Sequence, residues 1–403
     1  MAAMTTTGSR AHRPNNRKAQ ILAAAVDAFH RSGYHATSME DIATAVGITA
    51  GALYRHFRGK QELLAQGLVN GLDLLEEAVR NEEGLDALLR SIARFSVEHR
   101  AYAALWDKET QVLSVEQRAE IRQRHKRIIG TVAAAVQSER HELSATDAHQ
   151  LALAATAVLV SPSYHRTTLP ASRFETLLWE RASEVCRTSA LPVTGTATRP
   201  AERSVPGLSP ATRREALLLA GMRMFKERGF QAVSMEDIGA AVGIAGPSVY
   251  KHFEGKAELL AAVVRREAEA LWFALDQALT VSSSPVQALV RVLRSFASSV
   301  TVLSGSVALV ISELGYLAPA EQQTFHRTQL DYLTEWVSLL TASRPDLNEA
   351  EARVTVHAVF ALVSVAARTP LLERPLPTAL LIELGLDVLG TPAIDRLVEP
   401  ATF

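Results

Sequence analysis

The 403-residue sequence contains a single cysteine, Cys186. One thiol cannot form an intrachain disulfide, a cysteine usage that is common in the reducing cytoplasm. We interpret Cys186 as a small buried apolar residue. No apolar run approaches the ~20 residues that a membrane-spanning helix needs, and the first residues lack the apolar segment of a secretory signal. We therefore expect a cytoplasmic protein.

The chain also lacks an excess of charge of either sign, because its formal net charge is −1. Any surface that binds nucleic acid must therefore be local. The sequence shows no Gly-rich phosphate loop, no His-x-x-x-His or Cys-x-x-Cys spacing and no G-x-S-x-G motif in a suitable context. We predict no enzyme activity, no metal site and no cofactor.

The fold class follows from composition. Apolar residues make up 48% and charged residues 21% of the chain, which is typical of globular proteins. Alanine and leucine are abundant, whereas β-branched runs and Asn-Gly or Asp-Gly hairpin signals are scarce. The sequence predicts an all-α fold, and its length predicts several domains.

An internal repeat dominates the sequence. The stretch from Ser38 to Lys60 recurs from Ser234 to Lys256 at a constant shift of 196, and residues 17–65 share 24 of 49 positions with residues 213–261. Later matches, such as Leu143 with Leu347, occur at a shift of 204. The second copy therefore carries about eight additional residues, which we expect near residues 282–285.

Each repeat begins with a helix-turn-helix pattern. Ser38 with Asp41 three residues later predicts a capping box that begins one helix. Gly47 ends that helix, and Thr49 is a suitable N-cap for the next. Two short helices joined by a four-residue turn with glycine are typical of DNA-binding proteins.

At this point the sequence resembles the TetR-like (TetR/AcrR) family of bacterial transcription regulators. The residues that carry the resemblance are Phe29, Gly33, Ser38, Ile42, Ala43, Val46, Gly47, Tyr54, His56, Phe57 and the run Lys60-Gln61-Glu62-Leu63-Leu64. The resemblance implies a DNA-binding head followed by a helical domain that binds a ligand and dimerises through its last two helices.

The predicted organisation is two tandem TetR-like units. The predicted segments are a flexible arm (1–16), a first head (17–66), a first regulatory domain (67–187), a Pro- and Gly-rich linker (188–212), a second head (213–262) and a second regulatory domain (263–403). We call residues 17–187 the first unit and residues 213–403 the second unit.

The third helix of each head is the predicted reader of the DNA major groove. The candidate DNA-binding residues of the first head are Ser38, Thr49, Ala50, Gly51, Tyr54, Arg55, His56 and Lys60. Those of the second head are Ser234, Ala245, Gly246, Pro247, Ser248, Tyr250, Lys251, His252 and Lys256. The resemblance implies that the tyrosines and lysines contact phosphates, whereas either histidine could instead be a packed core residue.

The two heads differ in charge and in capping. Residues 1–65 contain eight Lys/Arg and four Asp/Glu, whereas residues 213–261 contain seven and six. We therefore expect the first head to bind DNA more strongly. Ala245 is a poor N-cap, so we predict that the second reading helix begins one residue later, with Gly246 as N-cap and Pro247 as the first helical residue.

Seven aromatic and histidine residues of the regulatory domains are candidates for a small-molecule site between helices. They are His99, Tyr102, Trp106 and His125 in the first unit and Tyr316, His326 and Trp336 in the second. Ordinary packing is the alternative for each of them.

The sequence thus predicts a DNA-binding transcription regulator, a repressor relieved by a small molecule, whose partners are operator DNA and that effector. The alternative is a small-molecule-binding or scaffolding protein whose second head no longer reads DNA. We expect residues 145–164 and 173–186 to pack against residues 349–367 and 378–389 in an intrachain pseudo-dimer. The rival architecture pairs two whole chains.

Overall fold

A computed structural model describes residues 13–108, 112–189, 210–302, 314–368 and 376–392. Over these ranges the chain forms helices, turns and short irregular connections, and it forms no strand. The predicted all-α fold is therefore confirmed. Residues 1–12 of the predicted arm and residues 190–209 of the predicted linker lie outside the described residues.

The helices of the first unit are α1 (Arg13–Ser32), α2 (Met39–Ala45), α3 (Ala50–His56), α4 (Lys60–Val79), α5 (Gly84–Glu98), α6 (Ala101–Lys108), α7 (Val115–Glu139), α8 (Ala145–Leu159) and α9 (Ala171–Arg187). A short 3₁₀ helix, Ser161–Tyr164, follows α8. Helix α1 begins at Arg13, so residues 13–16 belong to the first helix and not to the predicted arm.

The helices of the second unit are α10 (Arg213–Arg228), α11 (Met235–Ala241), α12 (Gly246–Val249), α13 (Lys256–Val281), α14 (Pro285–Val302), α15 (Pro319–Ser343), α16 (Glu349–Arg368) and α17 (Thr378–Leu389). Helix α13 has 26 residues, whereas its counterpart α4 has 20. Most of the additional residues of the second copy therefore lengthen α13, instead of the predicted loop after it.

Helix α8 is buried on nearly all of its faces. Its buried positions include Ala148, residues 151–155 and residues 157–159. A helix that is apolar all round needs neighbours on every side. It packs against α7 and α9 of its own unit and against α16 of the other unit.

The two units meet in a bundle made of α8, α9, α16 and α17. Helix α8 contacts α16, and α9 contacts both α16 and α17. The buried side chains of these helices belong to one hydrophobic core that also includes the first head. The packing predicted between these segments is therefore present. Within the described ranges, no helix is long and apolar enough to cross a membrane.

Polar and aromatic contacts between described residues connect the two units at this bundle. Arg173 Nε of α9 donates to Glu351 Oε1 of α16. Arg181 Nη1 donates to the carbonyl oxygen of Val388 at 3.2 Å. The rings of His165 and His357 stack with their centroids 4.2 Å apart.

Burial keeps both stacked histidines neutral. It lowers the pKa of His165 to about 2, and the neighbouring His357 and Arg100 act in the same direction. It lowers the pKa of His357 to about 3, and Arg353 and Arg100 add to that effect. Two neutral rings can stack, whereas two imidazolium rings would repel each other in a site with arginines nearby.

We predict that acid destabilises the chain through this pair. A histidine in the unfolded chain has a pKa of about 6.5, so below that pH the unfolded state binds protons that the folded state refuses. Between pH 7 and pH 5 each ring should cost about 2 kcal/mol of unfolding free energy. Replacing His357 by leucine, the residue found at the equivalent position 153, should remove about half of the loss that comes from this pair, while the buried His125 contributes a separate loss in both chains.

The measurement is the free energy of unfolding against pH for the parent chain, H357L and the control H326L, since His326 is exposed. Equal pH slopes for the parent and H357L would contradict the assignment.

Candidate DNA-binding heads

The first head holds its reading helix by local hydrogen bonds. The Ser38 backbone N–H donates to Asp41 Oδ2 at 2.8 Å, and the Asp41 N–H donates to Ser38 Oγ at 3.1 Å, so the predicted capping box is formed. The hydrogen bonds from Ser38 lower the pKa of Asp41. Thr49 caps α3, because its Oγ1 accepts from the Ala52 N–H at 3.2 Å.

The turn between α2 and α3 requires glycine. Gly47 has a φ of 67°, a left-handed conformation that glycine adopts without steric cost. The Ile48 N–H donates to the Ala43 carbonyl at 3.0 Å, and this bond fixes where α3 can begin. Gly243, with a φ of 72°, makes the same turn in the second head.

Helix α3 presents one face to solvent and one to the core. Leu53 and the following Phe57 are buried and anchor it. Gly51, Tyr54 and Arg55 are exposed, and the Tyr54 side chain is 54% accessible. Their spacing of three and four residues places them on one helix face. His56 is also exposed, so it is not a core histidine.

The second reading helix is shorter. Helix α12 covers residues 246–249, and Tyr250, Lys251 and His252 follow in a turn. Ala245 is its N-cap and makes no side-chain capping bond. The prediction of a later start with Gly246 as N-cap is therefore wrong. The Ile244 N–H to Gly239 carbonyl bond, at 3.0 Å, fixes the start at the same place as in the first head.

Helices α11 and α12 also pack more closely than a side chain at position 239 would permit. A Cβ atom on Gly239 would lie 2.7 Å from Val249 Cγ2 and 3.0 Å from the Ile244 carbonyl oxygen. The equivalent residues of the first head are Ala43 and Leu53. The second helix-turn-helix is thus a tighter and shorter version of the first.

Lys60 and Lys256 occupy a position that sequence reasoning did not predict. Lys60 Nζ donates to the carbonyl oxygens of Tyr34, His35 and Thr37 at 2.6, 3.3 and 3.0 Å, and it lies 4.4 Å from the centre of the Tyr34 ring. An ammonium group has three N–H donors. In this structure they hold the loop between α1 and α2, so a phosphate contact would require the lysine to release one of these bonds.

The second head repeats this arrangement. Lys256 Nζ donates to the carbonyl oxygens of Phe230, Gln231 and Val233 at 2.7, 3.4 and 2.8 Å and lies 4.4 Å from the centre of the Phe230 ring. The available sequence signal was the lysine at the first position of a helix, about 26 residues after an aromatic residue that follows glycine.

A second hydrogen bond that holds each head together was also not predicted from the sequence. Arg17 Nη2 donates to the Val46 carbonyl at 3.1 Å, and Arg213 Nη1 donates to the Val242 carbonyl at 3.2 Å. Each arginine joins the first helix of its head to the end of the second helix. Both are basic residues at the start of a head, where phosphate contact would have been the simplest interpretation.

The four ligand candidates of the first unit come together. His99 and Tyr102 have ring centroids 6.0 Å apart, Tyr102 and Trp106 5.9 Å, and Trp106 and His125 4.6 Å. Burial lowers the pKa of His125 to about 4, so this ring is neutral at pH 7. Trp106 Nε1 donates to the Leu68 carbonyl at 3.3 Å, which ties the cluster to α4.

The three candidates of the second unit do not form one site. Trp336 is fully buried in the main core, Tyr316 stacks on Phe230 of the second head at 4.8 Å, and His326 is exposed. The structure therefore does not bring these three candidates together, because they lie at separate places along the unit.

A cleft of about 420 Å³ opens beside the aromatic cluster of the first unit, between α1, α4 and α7. Its lining combines apolar residues with polar ones, among them Leu22, Gln66, Asn70 and Asp73. Asn70 Nδ2 also donates to the Tyr102 hydroxyl at 3.4 Å, so the cleft and the cluster share a residue.

Metal binding and thiol chemistry have little support among the residues that the structure describes. They contain no group of three or more His, Cys, Asp or Glu side chains that could hold a metal ion. Cys186 is buried, and burial raises the pKa of its thiol to about 12, so it stays protonated at neutral pH.

Two helix-turn-helix heads, each with an exposed tyrosine and a basic residue on its reading segment, define a DNA-binding protein. Residues 21–66 and 217–263 each match the family described as "Bacterial regulatory proteins, tetR family". The two matched segments coincide with the two helix-turn-helix heads, so the chain carries two TetR-type DNA-binding domains in tandem.

Relatives with known names match single segments of the chain. It is 28% identical over 146 residues to the transcriptional repressor KstR2 of Mycolicibacterium smegmatis, which covers 34% of this chain and 71% of that protein. It is 34% identical over 84 residues to the transcriptional activator FasR of the same organism, covering 21% and 38%. The matched segment thus spans well under half of FasR.

Solved structures resemble about half of the chain. KstR2 of Mycobacterium tuberculosis aligns over 45% of this chain and 95% of its own, with 24% identity and a TM-score of 0.40. AibR, solved with isovaleryl coenzyme A and operator DNA, aligns over 40% and 96%, with 23% identity and a TM-score of 0.35.

We predict that K60M destabilises the first head even without DNA. The substitution leaves the three loop carbonyls without their donor, which should cost about 2 kcal/mol of unfolding free energy. Thermal unfolding in the absence of DNA measures this. The control is R58A, which removes a charge from an exposed neighbour. Unchanged melting with weakened DNA binding would instead show that Lys60 acts on phosphate.

Exchanging the N-cap residues of the two reading helices should change the stabilities of the two heads in opposite directions. T49A removes the Oγ1 acceptor of α3 and should lower the stability of the first head by about 1 kcal/mol. A245T supplies an acceptor at the start of α12 and should stabilise the second head by up to that amount. Amide hydrogen exchange at residues 50–57 and 246–253 measures both effects. No change in either segment would contradict the capping argument.

Proposed function

We propose that the chain is an operator-binding repressor that works as an intrachain pseudo-dimer with two unequal heads. The observation that supports this most directly is the packing of α8 and α9 on α16 and α17, which joins two DNA-binding units within one chain. Dimeric helix-turn-helix proteins present their reading helices about one DNA turn apart, roughly 34–36 Å. A cytoplasmic location is part of the proposal, since the operator DNA of a bacterial regulator lies there.

The linker favours pairing within the chain. Joining two binding modules turns their association into an intramolecular step at a high effective concentration. Pairing between whole chains, with four heads, is the competing architecture. Light scattering at micromolar concentration separates the two, since a mass well above 43.7 kDa would contradict the pseudo-dimer.

The heads are proposed to bind DNA unequally. The first has a seven-residue capped reading helix, whereas the second has a four-residue helix without a side-chain cap. The exposed basic side chain of the reading segment is Arg55 in the first head and Lys251 in the second. Arginine can form two hydrogen bonds to guanine, whereas lysine acts more as a point charge. The first head should therefore supply most of the affinity and specificity.

The effector is proposed to be a small amphipathic molecule that binds the cleft between α1, α4 and α7. Helix α4 begins at Lys60 in the head and passes Gln66 and Asp73 in the cleft wall. Asp73 also accepts from Arg124 Nη2 of α7 at 2.7 Å. A ligand that competes for Asp73 would release this bond and let α4 move with the head, which lowers operator affinity only if the released state binds DNA less well.

The alternative function keeps only one reading head. The short α12 is the observation that favours a second head that serves as structure, in a chain whose main task is to bind a small molecule or to scaffold. Footprint size distinguishes the two functions: two protected half-sites support two reading heads, and one supports the alternative.

We predict that R55A weakens operator binding tenfold to a hundredfold, because one lost base contact costs about 1–3 kcal/mol. K251A should weaken it less and, if Lys251 contacts only phosphate, should reduce the salt slope by about one. Mobility-shift titrations on DNA upstream of the chain's own gene measure both. R187A is the control, since Arg187 is exposed on α9. Equal losses for R55A and K251A would contradict unequal heads.

A further inference from the structure

Three contacts between the units run in one direction. Arg173, Arg181 and His165 come from the first unit, and they meet Glu351, the Val388 carbonyl and His357 of the second unit. In a dimer of identical units every such contact would occur twice, once on each side of the symmetry axis.

The repeat register identifies the positions where the second set of contacts would lie. At a shift of 204, Arg140 corresponds to Arg344, and each donates to the carbonyls at the end of its unit's last helix. Arg140 Nη1 reaches Cys186 O at 3.0 Å, and Arg344 Nη1 reaches Leu389 O at 3.3 Å. The same shift matches the N-cap Ser144 with Asn348. The shift of 204 therefore holds up to the start of α8 and α16, whereas the acceptors Cys186 and Leu389 at the ends of the last helices are 203 residues apart.

The reversed partners cannot make the observed contacts. In the last helix, at a shift of 203 or 204, Arg173 corresponds to Leu376 or Pro377 and Arg181 to Leu384 or Gly385. None of these four residues has a side-chain donor. His357 corresponds to Leu153, which has no ring to stack. The second unit lacks the donors that the first unit carries.

Glu351 makes pairing between two second units unfavourable. Its side chain is 8% exposed. Burial by itself would raise the pKa of Glu351, but the hydrogen bonds from Arg173 and from the Asn348 N–H hold it below its ordinary value. A pair of second units would place each Glu351 against Leu376 or Pro377 and leave two buried carboxylates without a guanidinium, an arrangement that is strongly unfavourable.

We infer that the bundle face of the second unit, made by α16 and α17, is specialised to accept the first unit and rejects another copy of itself. The partner it fits is a face with an arginine opposite Glu351 and a histidine ring opposite His357. This inference rests on the intrachain pairing proposed above. This selectivity also lets the two units of one chain pair with each other. Units that paired only with identical units would instead join successive chains into open arrays.

The test uses the full chain with a protease site placed within residues 190–209, cut in solution so that both units remain in the sample. One preparation carries a tag after residue 403 and is incubated with an excess of untagged cut chain. The tag is then captured and the recovered fragments are separated by size. The inference expects the tagged second unit to recover first units and no untagged second unit. Stoichiometric recovery of untagged second unit would overturn it.

Variants made in the same cut chain identify the determinants. R173A should weaken retention of the first unit at least tenfold on dilution, and R187A on the same helix should leave it unchanged. H357L is a milder second variant, because leucine already occupies the equivalent position 153, and it should also weaken retention. Retention by R173A and H357L equal to that of the parent would overturn the assigned contacts.

No part of this test measures DNA binding. If selectivity fails while footprints show two half-sites, the proposed function stands without the inference. If the footprint fails while selectivity holds, the pairing is real but the operator proposal is wrong.

Discussion

The structure depends on the burial of helix α8. Almost every face of this helix is apolar, so neither unit can expose its bundle face to water without a large cost in hydrophobic free energy. In a protein with one unit per chain, the covering partner must arrive by diffusion, and pairing then depends on concentration. Here α16 covers α8 from within the same chain. The requirement that forces two units together is thus met by the covalent connection.

Because each unit has a fixed partner, bonds within a unit and contacts between the units are constrained differently. Ties inside a unit are present in both copies: Arg17 and Arg213, Lys60 and Lys256, and Arg140 and Arg344 make equivalent bonds. The hydrogen bonds from Arg173 and Arg181 and the stack of His165 on His357 occur once. This is the expected outcome, because bonds within a unit set the shape of each head and helix, whereas an interface between unlike units needs only one good set of contacts.

The sequence predicted the features that depend on neighbouring residues. The capping boxes at Ser38 and Ser234 are formed, because a cap involves residues only three apart. The carbonyl bonds of Lys60 could not be predicted in the same way, since they join residues 23 to 26 positions apart. Gly246 was preferred as N-cap on residue chemistry alone, but the turn at Gly243 sets the register first. The aromatic cluster around Trp106 formed because its members lie on adjacent helices, whereas Tyr316 and Trp336 do not.

The distribution of charge along the chain supports the proposal of two unequal heads. The whole chain has a formal net charge of −1, although both heads are basic by residue count. The regulatory helices therefore carry a net negative charge, which repels DNA phosphates and favours approach with the heads foremost. Within that orientation the first head has the larger positive balance and the longer reading helix. In the proposed pseudo-dimer the second head would need less intrinsic affinity, because the bundle would hold it near the DNA once the first head had bound, and effective concentration would then replace contacts. A shortened α12 is consistent with a head that binds second.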